Sequence, residues 1–386
     1  MNCRKISLLW SMVPILFLLV STATEAQSYH ILYTFDDQDG PSPLTLDSNG
    51  NLFGVTAQGG FYQCYENYYC GTIFELTPAG EGNWDYNVLH YFTGGADGGW
   101  PGGPLAIDRF GNLYGPTAWQ NGTAFQLGRI GRGWSFSTIY NSDTSALVLN
   151  GGRLYAGAAV GFITLGQISI STWHATILNP TGNIGFLTFD PEGNAYGTTQ
   201  TGGSGSAGSV YKLRPNSGSF GWTYSTIYSF QFGGAGGYQP LGGVAIDAAG
   251  NLYGTTIYGG SGGCHGGCGV LFKLSPNPDG TWGETVIHQF QGGTNDGSGP
   301  NGPPTLDSAG NVYVATAAGG TNGFGFVFKF TPGAGGQWTQ TILHSFSGND
   351  GTNPAGGMVF DAAGNLYGVT SGNLRGGASV AFGITP

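Results

Sequence analysis

The sequence predicts an all-β fold: a seven-bladed β-propeller with four antiparallel strands per blade, closed by the N-terminal strand pairing into the last blade. Three observations predict it. A Gly-Asn-Leu-Tyr-like turn recurs seven times, each copy carries four short strand-like segments, and the last copy lacks a fourth segment that the N-terminal stretch can supply.

The turn begins at Gly50, Gly111, Gly193, Gly250, Gly310 and Gly364, with a degenerate copy at Gly152 where Arg153 replaces the asparagine. An aromatic follows in every copy, as Phe53, Tyr114, Tyr155, Tyr196, Tyr253, Tyr313 and Tyr367. Three residues before the glycine stands an aspartate in six copies: Asp47, Asp108, Asp190, Asp247, Asp307 and Asp361. Asp-x-x-Gly-Asn between two β-rich segments is hairpin chemistry, with aspartate capping the turn and glycine taking the left-handed position. In the second copy the two strands are expected over Pro104 to Asp108 and Asn112 to Thr117.

The third segment reads GTIFELTP from Gly71, GSVYKLRP from Gly208, GVLFKLSP from Gly269 and GFVFKFTP from Gly325. Its apolar and polar residues alternate with the period of a half-buried strand. The fourth opens with tryptophan, at Trp84, Trp134, Trp173, Trp222, Trp282 and Trp338, and six residues later a ring recurs as His90, Tyr140, Tyr228, His288 and His344. The tryptophans suit packing between sheets.

The seventh copy stops after its third strand, and Tyr29 to Phe35 reads as the missing fourth, since YHILYTF matches VLHYF and TILHSF. Joining the two ends in one blade abolishes free sheet edges. The expected blades run over 43–92, 104–141, 145–179, 185–230, 242–290, 302–346, and 356–386 with 29–35, in a single domain over 27–386.

Residues 1–26 are set apart. Arg4 and Lys5, an apolar run from Ile6 to Val20 and the small-residue end Thr24-Glu25-Ala26 have the layout of a secretory signal peptide. A retained N-terminal anchor is the alternative. The run is short for a membrane span, and none is expected in the mature chain. Of the 11 basic and 21 acidic residues, Arg4, Lys5 and Glu25 leave with this segment, so nine and twenty remain and the net charge argues against nucleic acid as a partner.

These repeats resemble the bacterial tandem-repeat proteins called GloVer-repeat proteins, whose copies read GNLYGTT, then G-x-V-F-K-L-T-P, then a segment ending Y-S-F. Gly250 to Thr256, Gly269 to Pro276 and Trp222 to Phe230 carry the match most closely. The resemblance implies an exported or surface protein and supplies no catalytic residues. With no anchor segment after Pro386, a soluble secreted or periplasmic product is expected.

Residues found in every copy serve what every blade needs, so function is sought where copies differ. His90, His288 and His344 share one repeat position with tyrosines and read as packing residues; His30 lies in the closing strand, and His174 follows a blade tryptophan. The irregular insertions are GGFYQCYENYYCG in the first copy and GGSGGCHGGCG in the fifth, on the face where strand two connects to strand three. Cys64 with Cys70 and Cys264 with Cys268 are expected as disulfides, the natural state of an exported pair. The alternative, zinc on the Cys-His-Gly-Gly-Cys run, lacks an obvious fourth ligand.

The first insertion crowds Phe61, Tyr62, Tyr65, Tyr68 and Tyr69 onto one stapled excursion, which suits a carbohydrate or a cell-envelope protein as partner. That some of these rings fold back over the blade is the alternative. Loops on the same face carry Asp37, Asp39, Asp97, Asp296 and Asp350. They read as solvated turn carboxylates, with calcium as the alternative, although no loop matches a complete calcium motif. No other cofactor and no metal site is expected, and a closed ring is expected to be a monomer.

Nucleophile motifs, phosphate loops and zinc-helix signatures are absent from the sequence. The leading expectation is a non-enzymatic binding module with no catalytic residue. A propeller lactonase- or lyase-type enzyme, with a divalent cation at the central channel, is the alternative. Its carboxylates would be scarce, since only Glu66, Glu75, Glu81, Glu192 and Glu284 follow the leader as glutamates.

Overall fold

Each aspartate-capped turn forms, and each throws the chain into an antiparallel hairpin. In the computed structural model, which describes residues 27–36, 40–120, 122–141, 146–157, 163–166, 176–178, 186–216, 221–372 and 377–385, the chain is an all-β propeller. The segment read as a signal peptide, together with Asp37, Asp39, Trp173 and His174, lies outside the described residues.

The Asp247 turn shows the local mechanism. One carboxylate oxygen accepts from the backbone N–H of Ala249 and Asn251, both at 2.9 Å, and the other from Asn251 Nδ2 at 2.8 Å and Tyr253 Oη at 3.1 Å. Gly250 closes the turn at φ 79°, where a side chain would be strained. Burial pushes the Asp247 carboxyl up, but these hydrogen bonds outweigh it and hold the group below its ordinary range. Asp307 and Asp361 repeat the arrangement, with the same balance.

The sheets follow one another along the chain. The first holds Thr45–Leu46, Leu52–Thr56, Thr72–Gly80 and Asn83–Tyr91, in that order outward. Four-stranded sheets follow over 106–140, 146–178, 188–229 and 238–289. The last, over 359–385, gains its outermost strand from the other end of the chain. Ser28–Phe35 pairs antiparallel with Ser379–Thr385, from Ser28 opposite Thr385 to Phe35 opposite Ser379.

The expectation of four strands in every blade is corrected among the described residues. Six sheets are four-stranded, and the 297–345 sheet has five. There Gly297–Pro300 and Thr305–Leu306 both pair with Val312–Gly319, at opposite ends. Pro303 and Pro304 lie between them and offer no backbone N–H, so the innermost strand breaks in two. The same interruption shortens inner strands elsewhere: the second sheet begins at Ala106–Ile107, within the expected Pro104 to Asp108, and Pro101 makes only an isolated bridge to Thr117.

Packing between sheets comes from the recurrent rings. Trp84 meets Tyr367 edge-on at 5.7 Å between centroids, Trp134 meets Phe53 at 6.1 Å, Trp222 meets Tyr155 at 5.8 Å, Trp282 meets Tyr196 at 6.2 Å and Trp338 meets Tyr253 at 6.3 Å. In each pair the tryptophan of one sheet touches the turn aromatic of the sheet before it, and Trp84 with Tyr367 joins the first sheet to the last. Nearer the axis, the Thr305 hydroxyl donates to the Met358 carbonyl of the next sheet at 2.7 Å.

Candidate binding surface

The first insertion folds into a small ribbon in which Gln63–Tyr65 pairs with Tyr68–Tyr69. Its base is fixed in two ways. Cys64 and Cys70 form a disulfide, and Cys70 is fully buried in a core cluster with Phe92, Leu105 and Phe125. The loop of 93–100 then packs on the sulfurs: a Cβ built at Gly94 would lie 2.7 Å from Cys64 Sγ, so no larger residue fits there.

This ribbon points its rings outward. Phe61 is 76% exposed, Tyr62 52%, Tyr65 53% and Tyr68 48%, whereas Tyr69 is half-buried. Phe61 leans on Tyr91, with centroids 4.7 Å apart. Trp100 donates its indole N–H to the Tyr69 carbonyl at 3.0 Å and meets Trp119 edge-on at 4.6 Å. Trp100 and Trp119 extend the aromatic surface, and sequence reasoning missed them. The signal was available: of nine tryptophans, six hold the blade position and one lies in the leader, which leaves these two without a repeat role.

Cys264 and Cys268 form the second disulfide, so the Cys-His-Gly-Gly-Cys run has no free thiols for zinc. His265 at its tip is exposed.

The histidines of the repeat position do pack, as expected, but each has a partner that the sequence did not reveal. His90 Nε2 meets Asp97 at 3.3 Å, His288 meets Asp296 at 2.9 Å and His344 meets Asp350 at 3.0 Å. The reading of these aspartates as solvated turn carboxylates is therefore corrected. Asp296 is buried and also accepts from the backbone N–H of Gln291 and Gly297 and from Gln340 Nε2, so it ties its loop to two strands. Asp350 accepts from the N–H and hydroxyl of Ser347, and Asp97 from those of Thr93.

Rings cover the imidazoles. His90 stacks on Phe136 at 4.1 Å, and His344 stacks on Tyr29 of the closing strand at 3.7 Å. Burial lowers the pKa of His90 and His344, and the facing aspartate opposes the shift without overcoming it. Among the described residues, no three of His, Cys, Asp and Glu gather in a group that could hold a metal ion.

The turn motif, the Gly-x-Val-Phe-Lys-Leu third strand and the tryptophan-led fourth strand thus recur in structure as in sequence. The profile of the Gloeobacter/Verrucomicrobia repeat matches residues 180–386. The chain belongs to this repeat family. A comparison with curated protein sequences finds no match. Among solved structures, this Gloeobacter/Verrucomicrobia repeat protein is similar to virginiamycin B lyase from Staphylococcus aureus, with a TM-score of 0.62 at 11% identity over 93% of this chain and 99% of that one. It is also similar to the WD40 β-propeller domain of Doa1, with a TM-score of 0.60 at 10% identity over 93% and 97% of the two chains. A third similar structure is the extracellular domain of a one-component system from B. thetaiotaomicron, with a TM-score of 0.57 at 14% identity over 91% of this chain and 39% of that one. At these identities the likeness carries the fold alone.

Proposed function

We propose that this repeat protein is an exported, monomeric, non-enzymatic binding module. In this reading the six four-stranded sheets and the five-stranded one act together as a ring of seven blades, and the leader over 1–26 directs export. The ribbon of Phe61, Tyr62, Tyr65, Tyr68 and Tyr69 is the binding surface, and its ligand is a glycan of the cell envelope or its surroundings.

One observation carries the proposal: four aromatic rings stand about half exposed or more on an excursion stapled by Cys64 and Cys70. Apolar surface of this kind is unfavourable in water unless something covers it, and a rigid base lets it bind at low entropy cost. The test is a glycan array that includes acidic polysaccharides and peptidoglycan fragments, run on the full chain and on Tyr65→Ala and Tyr68→Ala. Binding that both changes weaken supports the surface; binding indifferent to both refutes it. If only an envelope protein is retained, and the same changes abolish retention, the surface stands with a different partner.

A further inference from the structure

On the same face, away from the ribbon, lies a second group of rings that the repeat does not explain. Phe232 follows the Phe-x pair just past the end of a fourth strand, where the matching positions are Gly94, Gly292 and Gly348. Tyr238 precedes an x-Pro pair, where other copies have Gly99, Ser298 and Thr352. Tyr258 ends a second strand, two residues past the repeat's threonine, where other copies have Trp119 and Ala318. No blade requires an aromatic at any of these places, yet here all three converge. Tyr238 stacks on Tyr258 with centroids 5.4 Å apart and planes 22° apart, and Phe232 meets Tyr238 edge-on at 5.3 Å. Phe232 is 59% exposed and Tyr258 37%.

This shelf is held from both sides. The Tyr238 hydroxyl donates to the Gly266 carbonyl at 3.1 Å, inside the loop closed by Cys264 and Cys268. Gln289 links that loop to the one bearing Phe232, accepting from the Ser261 N–H at 3.1 Å and donating to the Ala235 carbonyl at 3.4 Å. Around the rings lie exposed neutral groups: Ser204, Gln231, Ser261 and Gln291. The segments 200–206, 230–238 and 257–268 contain no Asp, Glu, Lys or Arg, and His265 is their one histidine. The carboxylate beneath, Glu284, turns inward to accept from the Tyr228 hydroxyl at 2.7 Å.

We propose that Phe232, Tyr238 and Tyr258 form a second binding site, and that its ligand is a neutral oligosaccharide. A pyranose offers an apolar C–H face to a ring shelf and a rim of hydroxyls to amides and serines, which is the chemistry assembled here. A charged partner finds no complementary charge to steer or hold it. A protein partner is disfavoured by size. At roughly 200 Å² per ring the exposed parts of Phe232 and Tyr258 present about 200 Å², against the ~800 Å² per partner of a stable protein interface.

The test is calorimetric titration of the full chain with cellohexaose, xylohexaose, mannohexaose and chitohexaose. Variants are Phe232→Ala, Tyr258→Ala, the ring-preserving Tyr258→Phe and, for the ribbon, Tyr65→Ala with Tyr68→Ala. Affinity for at least one hexasaccharide is expected to fall about tenfold in each alanine variant of the shelf and to survive Tyr258→Phe. Because Phe232 is mostly exposed, its variant decides the matter should Tyr258→Ala disturb folding. Loss confined to the ribbon variants would overturn the shelf and leave the ribbon standing. Loss confined to the shelf variants would support the shelf and remove these sugars from the ribbon. Failure of the unmodified chain to bind any of the four would overturn the shelf, while the ribbon would still be judged on acidic and peptidoglycan glycans.

Discussion

Replacing Phe35 by alanine tests whether the N-terminal strand is an integral part of the last sheet. Phe35 is 3% exposed and sits in a core cluster with Leu44, Leu52, Phe74, Leu76, Val369 and Ala381. Leu44 through Leu76 belong to the first sheet, Val369 and Ala381 to the last, so this one ring bridges the seam. Its centroid lies 5.1 Å from that of Phe74 and 6.0 Å from that of Tyr86. Phe290 holds the corresponding place between two sheets joined by continuous chain, buried with Val312, Phe326 and Phe328. Truncating a buried phenylalanine to alanine costs about 3–5 kcal/mol, the transfer free energy of the ring plus that of the cavity left behind. Phe35→Ala and Phe290→Ala should therefore lower the urea midpoint by similar amounts, followed by tryptophan fluorescence and far-ultraviolet circular dichroism in parallel. If Phe290→Ala shows the full loss and Phe35→Ala less than about 1 kcal/mol, the seam contributes little and the reasoning fails.

Three further outcomes are expected. Acid should weaken the fold in two stages: the pKa of His90 and His344 is lowered on folding, so the unfolded chain takes up protons first and stability falls as pH drops through about 6.5. Asp296 and Asp350 are also held low, so stability present above the ordinary aspartate range is lost as pH falls further; thermal melts of His90→Tyr with His344→Tyr should remove the first stage, and an unchanged profile would refute it. Reduction of the two disulfides, which close sequence separations of 6 and 4 residues, should cost on the order of 2 kcal/mol each and lower ligand affinity while far-ultraviolet dichroism is retained. Asp247→Ala, which removes four hydrogen bonds to a carboxylate, should cost about 2 kcal/mol in the urea midpoint; a loss under a few tenths would show that the turn forms without its cap.

The sequence by itself determined the propeller. Each aspartate-glycine-asparagine turn is satisfied by its own next six residues, the strand period is local, and the fourth-strand match at Tyr29 to Phe35 located the closure because a blade one strand short has few other sources for it. The cysteine pairs were legible for the same reason, being close in the chain. Tertiary structure alone decided what depends on residues meeting across loops. His90 and Asp97 are separated by glycine-rich chain whose path no periodicity records, so a buried pair could not be told from a ring beside a solvated turn. Tyr238 meets Tyr258 as its partner across two paired strands, whereas Trp100, Trp119 and Phe232 lie between strands, and their places follow from how those loops settle against the stapled insertions. The split inner strand over 297–306 likewise depends on which end of Val312–Gly319 each half finds. Local chemistry fixes turns and periods, whereas a surface is set by packing between distant segments, and the chain writes only the first of these in consecutive residues.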